Sequence, residues 1–252
     1  AQRIHMAEAT GIKIVELVEK DIRPSDILTR AAFENAIRVQ MATGASTNLM
    51  IHIIAIARRA GVHLTLDDFD RLSRETPFIA DVKPCGTVTV EELYHAGGIH
   101  AVMKQLESLL DTAVMTASGQ SLKENLIGAR VRNSRVIHPI DDPIQPDGGL
   151  RIVRGNLAPD GAVIKTAAAS PHLLKHTGPA AIVPRHGGQE TIDSALANIT
   201  ADHVLVNRYL GPIGAPGMPE RGPVGLPTHL LRDGVRDMVR IVDCRMSGTS
   251  YG

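Results

Sequence analysis

Aromatic residues are scarce in this sequence, and tryptophan is absent. Phe, Trp and Tyr together make up 2% of the 252 residues, which leaves little material for a platform that stacks nucleic-acid bases or sugar rings. Neither sign of charge is in excess, because 27 Lys and Arg residues balance 27 Asp and Glu residues. This balance does not favour binding to nucleic acid or to an anionic membrane surface, and small polar substrates fit it better.

Cysteines and long apolar runs are also few. The two cysteines, Cys85 and Cys244, lie far apart and form no CxxC pair, which argues against a disulfide framework and a self-contained zinc site. The longest apolar runs, such as residues 49–57, fall well short of the roughly 20 residues that a membrane span needs. A hydrophobic content of 43% can still supply a buried core. We therefore expect a cytoplasmic protein without a membrane span.

The pattern of the sequence changes near its middle. Up to about residue 118, apolar residues recur at helical spacing behind capping candidates, which predicts a series of helices. Ser25 or Thr29 could cap one of them, and Thr65 another. After Gly119 the apolar runs are short and separated by Gly and Pro, which is typical of strands. We predict an α/β protein with a helix-rich piece at residues 1–118 and a β-rich piece at residues 119–252. The predicted strands lie at residues 151–154, 162–165, 180–184, 203–209 and 238–243, with one helix at 190–198.

The two ends of the sequence suggest that it is part of something longer. Ala1 opens a pattern that is already helical and has no signal-peptide features. The last residues, Tyr251 and Gly252, come directly after a compact polar motif. We therefore expect an internal stretch of a larger protein.

The first motif with chemical potential is the run GASTN at residues 44–48. A glycine turn here leads the side chains of Ser46, Thr47 and Asn48 into the start of a helix, where backbone N–H groups can receive an anion such as a carboxylate. The same residue types are the ordinary capping residues of helices. From the residues alone, both interpretations stay open.

The second motif is the Gly-Pro loop at residues 211–220, which follows a strand-like run and ends on Glu220. A loop that ends on a carboxylate is a common way to hold a hard cation, although such loops also serve as ordinary connectors. Its glycine spacing does not match that of a nucleotide-binding loop. Glu220 is therefore a candidate metal ligand.

The third motif, DCRMSGT at residues 243–249, comes directly after another strand-like run. A serine on a tight turn, Ser247, stands beside Gly248 and near Arg245, where it can meet a substrate among stabilising donors. The run lacks the GxSxG elbow of serine hydrolases. Taken by itself, Ser247 fits a structural role better than a nucleophilic one.

In their order along the chain, these motifs resemble the dihydroxy-acid and sugar-acid (aldonate, 6-phosphogluconate) dehydratase family. The run GASTN, followed by an apolar helix and LTLDDF at residues 64–69, is similar to the GGSTN region of that family. The similarity continues through GNLAP at 155–159, GP at 211–212, PGM at 216–218 and VRDMVR at 235–240. Ala45 in place of a glycine and Cys244 where Gly or Ala is usual are mild departures.

The resemblance implies a longer enzyme with a magnesium ion and an iron–sulfur cluster, usually 2Fe–2S, between an N-terminal α/β domain and a β-rich, barrel-like C-terminal domain. Residues 1–118 would end the first domain and residues 119–252 would begin the second. The cluster ligands would lie outside this chain, so the chain alone would be inactive. The resemblance also implies site roles for Ser247 as the catalytic base, Glu220 as a magnesium ligand, and Ser46, Thr47, Asn48, Arg245, Gly248 and Thr249 as substrate-binding residues.

The implied reaction removes water from a 2,3-dihydroxy carboxylate and gives a 2-keto-3-deoxy acid. The Arg-Met-Ser-Gly-Thr form of the third motif and the Gly-Met-Pro-Glu end of the Gly-Pro loop are more similar to the dehydratases of sugar acids. Two alternatives stay open, namely a dihydroxy-acid dehydratase of branched-chain amino-acid biosynthesis and a non-catalytic binding module on the same scaffold. The resemblance further implies a homodimer or homotetramer that acts on a small-molecule substrate. The absence of a nucleic-acid or membrane partner is expected from the charge balance.

Overall fold

The structure is a computed structural model that describes residues 2–211, 220–221 and 225–246. Its first part is helical, as the apolar periodicity predicts, and a 3-10 turn at Glu107–Leu109 follows the seventh helix. The eight helices described before residue 126 are α1 (Gln2–Glu19), α2 (Pro24–Ile27), α3 (Arg30–Thr43), α4 (Asn48–Arg59), α5 (Leu66–Glu75), α6 (Val90–His95), α7 (Gly98–Gln105) and α8 (Leu122–Asn125).

Local side-chain chemistry fixes where several of these helices begin. The hydroxyl of Thr29 accepts the N–H of Ala32 and caps α3. At the start of α5, Thr65 and Asp68 form a capping box, in which the Asp68 carboxylate accepts the N–H of Thr65 at 2.9 Å. The predicted helix starts at these residues are confirmed.

The helices enclose two apolar cores that share α3. On one side, α3 packs against α4, α5 and the first strand, with Ile37 and Phe69 fully buried. On the other side, Ala42 of α3 contacts a core formed by α6, α7, α8 and the segments around Ile79 and Ile137. Since α3 is buried on both sides, its C-terminal end, which leads into the GASTN run, is held firmly.

All strands that the structure describes lie after residue 150. β1 (Arg151–Val153) and β2 (Ala162–Ile164) form an antiparallel pair. A parallel sheet has the strand order β3-β4-β6, with β3 (Ala180–Ile182), β4 (Val204–Asn207) and β6 (Arg240–Val242). β5 (Glu220–Arg221) and β7 (Arg245–Met246) form a short parallel pair.

Two helices cover the parallel sheet. Parallel strands need crossover connections, and here α9 (Gln189–Ala195) lies between β3 and β4 while α10 (Thr228–Arg232) precedes β6. Leu205 of β4 packs with Ile192 of α9 and Leu230 of α10 in a third apolar core. The face of the sheet that carries Leu205 is therefore the face that the two helices cover.

The mixed α/β class and the change from helices to strands are confirmed. All five predicted strands are present, each one to three residues shorter than predicted, and the predicted helix at 190–198 is α9. The described strands form three separate open sheets of short strands, so they do not show a barrel-like C-terminal part. That arrangement and the boundary between residues 118 and 119 stay predictions. No helix in the described part of the chain is long and apolar enough to cross a membrane.

Candidate active site

The candidate site lies where two of the motif segments leave the parallel sheet. β4 ends at Asn207 and leads toward the Gly-Pro loop, whereas β6 ends at Val242 and leads into the third motif. Asn207 and Val242 are register partners in parallel strands, so both segments leave the sheet at its carboxyl edge. This edge is where ligands bind in open α/β sheets.

The second and third motifs pair with each other beyond this edge. In the parallel pair β5 and β7, Glu220 is the register partner of Arg245, and Arg221 is the partner of Met246. Neighbouring strands are about 5 Å apart, so the backbone of the candidate metal ligand lies one strand spacing from the third motif. The side chain of Glu220 lies outside the described residues, and its role as a ligand stays a prediction.

Thr47 connects the helical part of the molecule to the third motif. Its hydroxyl donates a hydrogen bond to the backbone carbonyl of Met246, with 3.3 Å between the two oxygen atoms. The side chain of Thr47 makes no capping bond to α4, so it is not occupied as an ordinary cap. This bond brings the GASTN run to Met246, the residue that precedes the predicted catalytic Ser247 in the sequence.

The backbone at the start of α4 already has its own partners. The N–H of Asn48 bonds to the hydroxyl of Ser46 at 3.2 Å, and the N–H groups of Leu49 and Met50 bond to the carbonyls of Ser46 and Thr47. A ligand at this helix start would therefore be bound by side chains rather than by these N–H groups. The side chains of Ser46, Thr47 and Asn48 are all half-buried.

Gly44 fixes the turn that precedes these residues. It ends α3 in the left-handed region, with φ 55° and ψ 38°, where glycine has no steric penalty. A Cβ added there would lie 3.0 Å from both the sulfur of Cys85 and the ring of Phe78.

The thiol of Cys85 donates to the Gly44 carbonyl at 3.3 Å. Burial raises the pKa of this thiol, which favours its protonated form, and the nearby Lys165 partly opposes the shift.

Asp243 holds the segment that follows β4. Its carboxylate accepts the N–H groups of Tyr209 at 2.7 Å and Leu210 at 2.9 Å. Tyr209 has a φ of 61°, a left-handed conformation that costs free energy for a residue other than glycine. Gly211 then passes so close to the third motif that a Cβ on it would lie 2.4 Å from the Asp243 carbonyl oxygen. The motif was evident from the sequence, but the two hydrogen bonds that Asp243 accepts were not.

Asp237 connects the loop that contains Ser170 to strand β6 of the parallel sheet. Its carboxylate accepts a 2.5 Å hydrogen bond from the hydroxyl of Ser170 and lies 3.7 Å from the guanidinium of Arg240 on β6. Burial lowers the pKa of Arg240, and the charge of Asp237 opposes that shift. A carboxylate beside a buried guanidinium offsets part of the cost of removing the charge from water.

The described residues do not provide a binding site for a metal cluster. Within residues 2–211, 220–221 and 225–246, no three His, Cys, Asp or Glu side chains come together in a way that would hold a metal ion. The carboxylate of Glu220 has the oxygen chemistry that magnesium prefers. Of the other predicted site residues, Ser247, Gly248 and Thr249 lie outside the part of the chain that the structure describes.

The similarity to known proteins covers both parts of the chain. The family model described as Dihydroxy-acid/6-phosphogluconate dehydratase N-terminal matches residues 1–125, and its C-terminal counterpart matches residues 135–252. The chain belongs to this dehydratase family. The resemblance drawn from the motifs is thereby confirmed.

Curated members of the dehydratase family align along nearly the whole chain. An L-arabonate dehydratase of Azospirillum brasilense is 49% identical over 256 residues, which cover 100% of this chain and 44% of the relative. A dihydroxy-acid dehydratase of Caldicellulosiruptor bescii is 47% identical, with 100% and 46% covered. A 6-deoxy-6-sulfo-D-gluconate dehydratase of Pseudomonas putida is 44% identical, with 98% and 43% covered. The chain thus spans less than half the length of these relatives.

Proposed function

We propose that this chain is part of a hydro-lyase that dehydrates a sugar acid to a 2-keto-3-deoxy acid. The observation that carries the proposal is the hydrogen bond from Thr47 to the carbonyl of Met246, because it joins the first motif to the third across the molecule. Relatives named L-arabonate dehydratase and 6-deoxy-6-sulfo-D-gluconate dehydratase, at 49% and 44% identity, support the substrate class.

Ser247 is the proposed base of the reaction. The C2 proton of the substrate passes to the Ser247 alkoxide, and the C3 hydroxyl leaves as hydroxide. The hydroxide takes up the proton that Ser247 then gives back, so water is released and the alkoxide is restored. The resulting enol tautomerises to the 2-keto acid. A serine hydroxyl is a poor base near neutral pH, so Ser247 needs a neighbouring cation or N–H donors that stabilise the alkoxide. Arg245, Gly248 and Thr249 are proposed to supply contacts around the substrate at this end of the site.

The side chains of Ser46, Thr47 and Asn48 are the proposed contacts on the other side of the substrate. The backbone N–H groups of Asn48, Leu49 and Met50 already have partners at the start of α4, so hydroxyl and amide side chains provide the polarity. Such groups match the carboxylate and hydroxyl groups of a polyhydroxy acid. This arrangement favours a small, highly polar ligand.

The proposed cofactors are a magnesium ion, with Glu220 as one ligand, and a 2Fe–2S cluster. When bound, these metals would supply Lewis-acid stabilisation to the oxygens of the substrate. The described residues do not fit a cluster, so its ligands are sought in the rest of the protein. A cytoplasmic location and a homodimer or homotetramer also stay predictions.

A dihydroxy-acid dehydratase of branched-chain amino-acid biosynthesis is the alternative enzyme. It is favoured by the relative of that name at 47% identity, which is too close to the 49% of the L-arabonate dehydratase for identity to decide. The two enzymes share their chemistry and differ in the tail of the substrate, which is polar in one and aliphatic in the other. The specificity of the site must therefore distinguish them.

The test uses the whole protein of which this chain is proposed to be a part, purified without oxygen and loaded with iron and magnesium. Formation of 2-keto acid is measured with a panel of five- and six-carbon aldonates and with 2,3-dihydroxyisovalerate. We expect the highest kcat/KM with an aldonate. A higher value with 2,3-dihydroxyisovalerate would favour the alternative enzyme. Absence of product from every substrate in a fully loaded protein would favour the non-catalytic binding module.

A further inference from the structure

We propose that Asn207 determines substrate specificity by binding a hydroxyl group in the tail of the sugar acid. This inference rests on the proposed function and adds to it a residue that no motif contains. It starts from a buried asparagine that has no hydrogen-bond partner among the residues that the structure describes.

Asn207 is the last residue of β4, and only 3% of its surface is exposed. Among the described residues, neither its amide oxygen nor its amide nitrogen has a hydrogen-bond partner. An amide that is removed from water without a new partner costs free energy, and buried amides in folded proteins are nearly always paired. Such a group needs an explanation, and a ligand that completes its hydrogen bonds is one.

The apolar core next to Asn207 does not explain an amide at this position. Side chains alternate along a strand, so Asn207 shares the face of β4 that carries the buried Leu205. Leu205 packs there with Leu226 and Leu230 among other apolar residues. An aliphatic side chain at position 207 would extend this core without the cost of an unpaired amide.

Another buried asparagine shows how a structural role is fulfilled in this fold. Asn35 is 8% exposed, and its amide makes two hydrogen bonds to the backbone of Asp111. Its nitrogen donates to the Asp111 carbonyl at 2.8 Å, and its oxygen accepts the Asp111 N–H at 2.9 Å. Asn35 thereby joins two segments of the chain, whereas Asn207 joins none in the described part.

Asn207 lies at the candidate active site. It ends the central strand of the parallel sheet at the carboxyl edge, and its register partner Val242 directly precedes Asp243. From Asn207 the chain continues into the segment that the Asp243 carboxylate holds, which leads toward Glu220. A substrate bound between the second and third motifs would therefore meet the end of β4.

The chemistry of the amide selects the kind of tail that it can bind. The amide of asparagine offers hydrogen-bond donors and an acceptor, and a hydroxyl group can both donate and accept a hydrogen bond. The tail of an aldonate carries hydroxyl groups and can complete the bonds of Asn207, whereas the aliphatic tail of 2,3-dihydroxyisovalerate leaves the amide buried and unpaired. A site that leaves a polar group unpaired discriminates against such a substrate.

The experiment replaces Asn207 in the whole, metal-loaded protein and compares two substrates. For Asn207→Leu we expect kcat/KM with the best aldonate to fall about tenfold or more, mainly through KM, because a buried hydrogen bond to the substrate is lost. We expect kcat/KM with 2,3-dihydroxyisovalerate to stay the same or rise. The melting temperature should stay the same or rise, since leucine suits the adjoining core. Asn207→Val, which suits a strand, should give the same change in preference if the leucine variant does not fold.

Asn35→Leu is the matched control. It should lower the melting temperature, because the backbone groups of Asp111 lose their partners, and it should leave the ratio of the two kcat/KM values unchanged. An unchanged ratio in the Asn207 variants, or an equal loss with both substrates together with a lower melting temperature, would overturn the inference while the proposed function stands. A wild-type protein that dehydrates neither substrate would overturn the proposed function and this inference with it.

Discussion

Thr47 donates its hydroxyl hydrogen to the carbonyl oxygen of Met246 across a sequence separation of 199 residues. The bond joins the start of α4 to β7, and so it connects the helical part of the molecule with the strand pair that carries Glu220 and Arg245. Long-range contacts of this kind assemble a site from segments that are distant in sequence. The position of Met246 therefore depends on both parts of the chain.

Replacing Thr47 with valine tests this connection, because valine keeps the shape and removes the hydroxyl. We expect kcat/KM of the whole protein to fall about tenfold and the free energy of unfolding to fall by about 1 kcal/mol or less, the typical net contribution of one hydrogen bond. Steady-state kinetics and thermal unfolding measure the two effects.

The matched control for that change is Thr43→Val, since the hydroxyl of Thr43 bonds to Val39 within α3 at 2.7 Å. It should leave kcat/KM within about twofold of the wild type. Equal losses of activity in the two variants would mean that the bond to Met246 has no particular role in the site.

Replacing Ser247 with alanine should abolish turnover and leave the iron and magnesium content close to that of the wild type. The expected loss follows from the proposed role as base, because alanine cannot accept the C2 proton. Kinetics together with metal analysis and the visible absorption of the protein check both parts. Ser134→Ala, at an exposed position, is the control, and near-normal activity of Ser247→Ala would remove the serine from this role.

Replacing Glu220 with glutamine should raise the magnesium concentration that half-maximal activity requires. An amide oxygen is a weaker ligand than a carboxylate for a hard divalent cation. At a given magnesium concentration, fewer protein molecules therefore hold the ion. Titration of activity with magnesium measures the change, and Glu190→Gln on the exposed side of α9 provides the comparison. A magnesium requirement that does not change would count against Glu220 as a ligand.

Local sequence signals predicted much of the fold. Thr29 and Thr65 mark true helix starts, because a capping bond depends only on residues a few positions apart. The shortest elements were not predicted, and the reason differs between the helix and the strands. α6 has six residues, which is too few for an apolar period to show, although Thr89 and Glu92 form a capping box at its start. β5 and β7 have two residues each and exist only through their pairing with each other.

The candidate site was predictable as a set of motifs but not as a set of contacts. The order of the motifs pointed to the segments around Thr47 and Arg245, and the structure brings these segments together. The hydrogen bond from Tyr209 to Asp243 left no sequence signal. Neither did the amide of Asn207, which has no hydrogen-bond partner in the described part of the chain. Both depend on how strands distant in sequence pack side by side, which no local pattern encodes.

Replacing Gly211 with alanine should disturb the segment that leads from β4 toward Glu220. The added Cβ would lie 2.4 Å from the backbone oxygen of Asp243, so one of the two chains must move. Overpacking of this kind costs about 1–3 kcal/mol of the free energy of unfolding, and the displaced segment should also lower kcat. Gly155→Ala is the control, since a Cβ there meets nothing within 4 Å. Equal melting temperatures for the two variants would contradict the close approach.

The stability of the C-terminal part should depend on the ionisation of Asp193. The carboxylate of this α9 residue accepts the hydroxyl of Thr228 at 2.6 Å and its N–H at 2.7 Å, and it also accepts the side-chain amide of Gln189 at 3.0 Å. These hydrogen bonds, led by the Thr228 hydroxyl, lower the pKa of Asp193 below its ordinary value. They fasten the start of α10 to α9, which covers the parallel sheet.

A lowered pKa in the folded state means that the folded protein resists protonation of Asp193 more than the unfolded chain does. The stabilisation is therefore complete above the ordinary pKa of about 3.9 and is lost as the pH falls through the lower value of the folded state. Asp193→Asn should lower the melting temperature at about pH 7, and its difference from the wild type should shrink below about pH 4. Thermal unfolding at a series of pH values measures this difference, with the exposed Asp233→Asn as control. A difference that stays constant down to about pH 3 would show that the charge of Asp193 does not stabilise the start of α10.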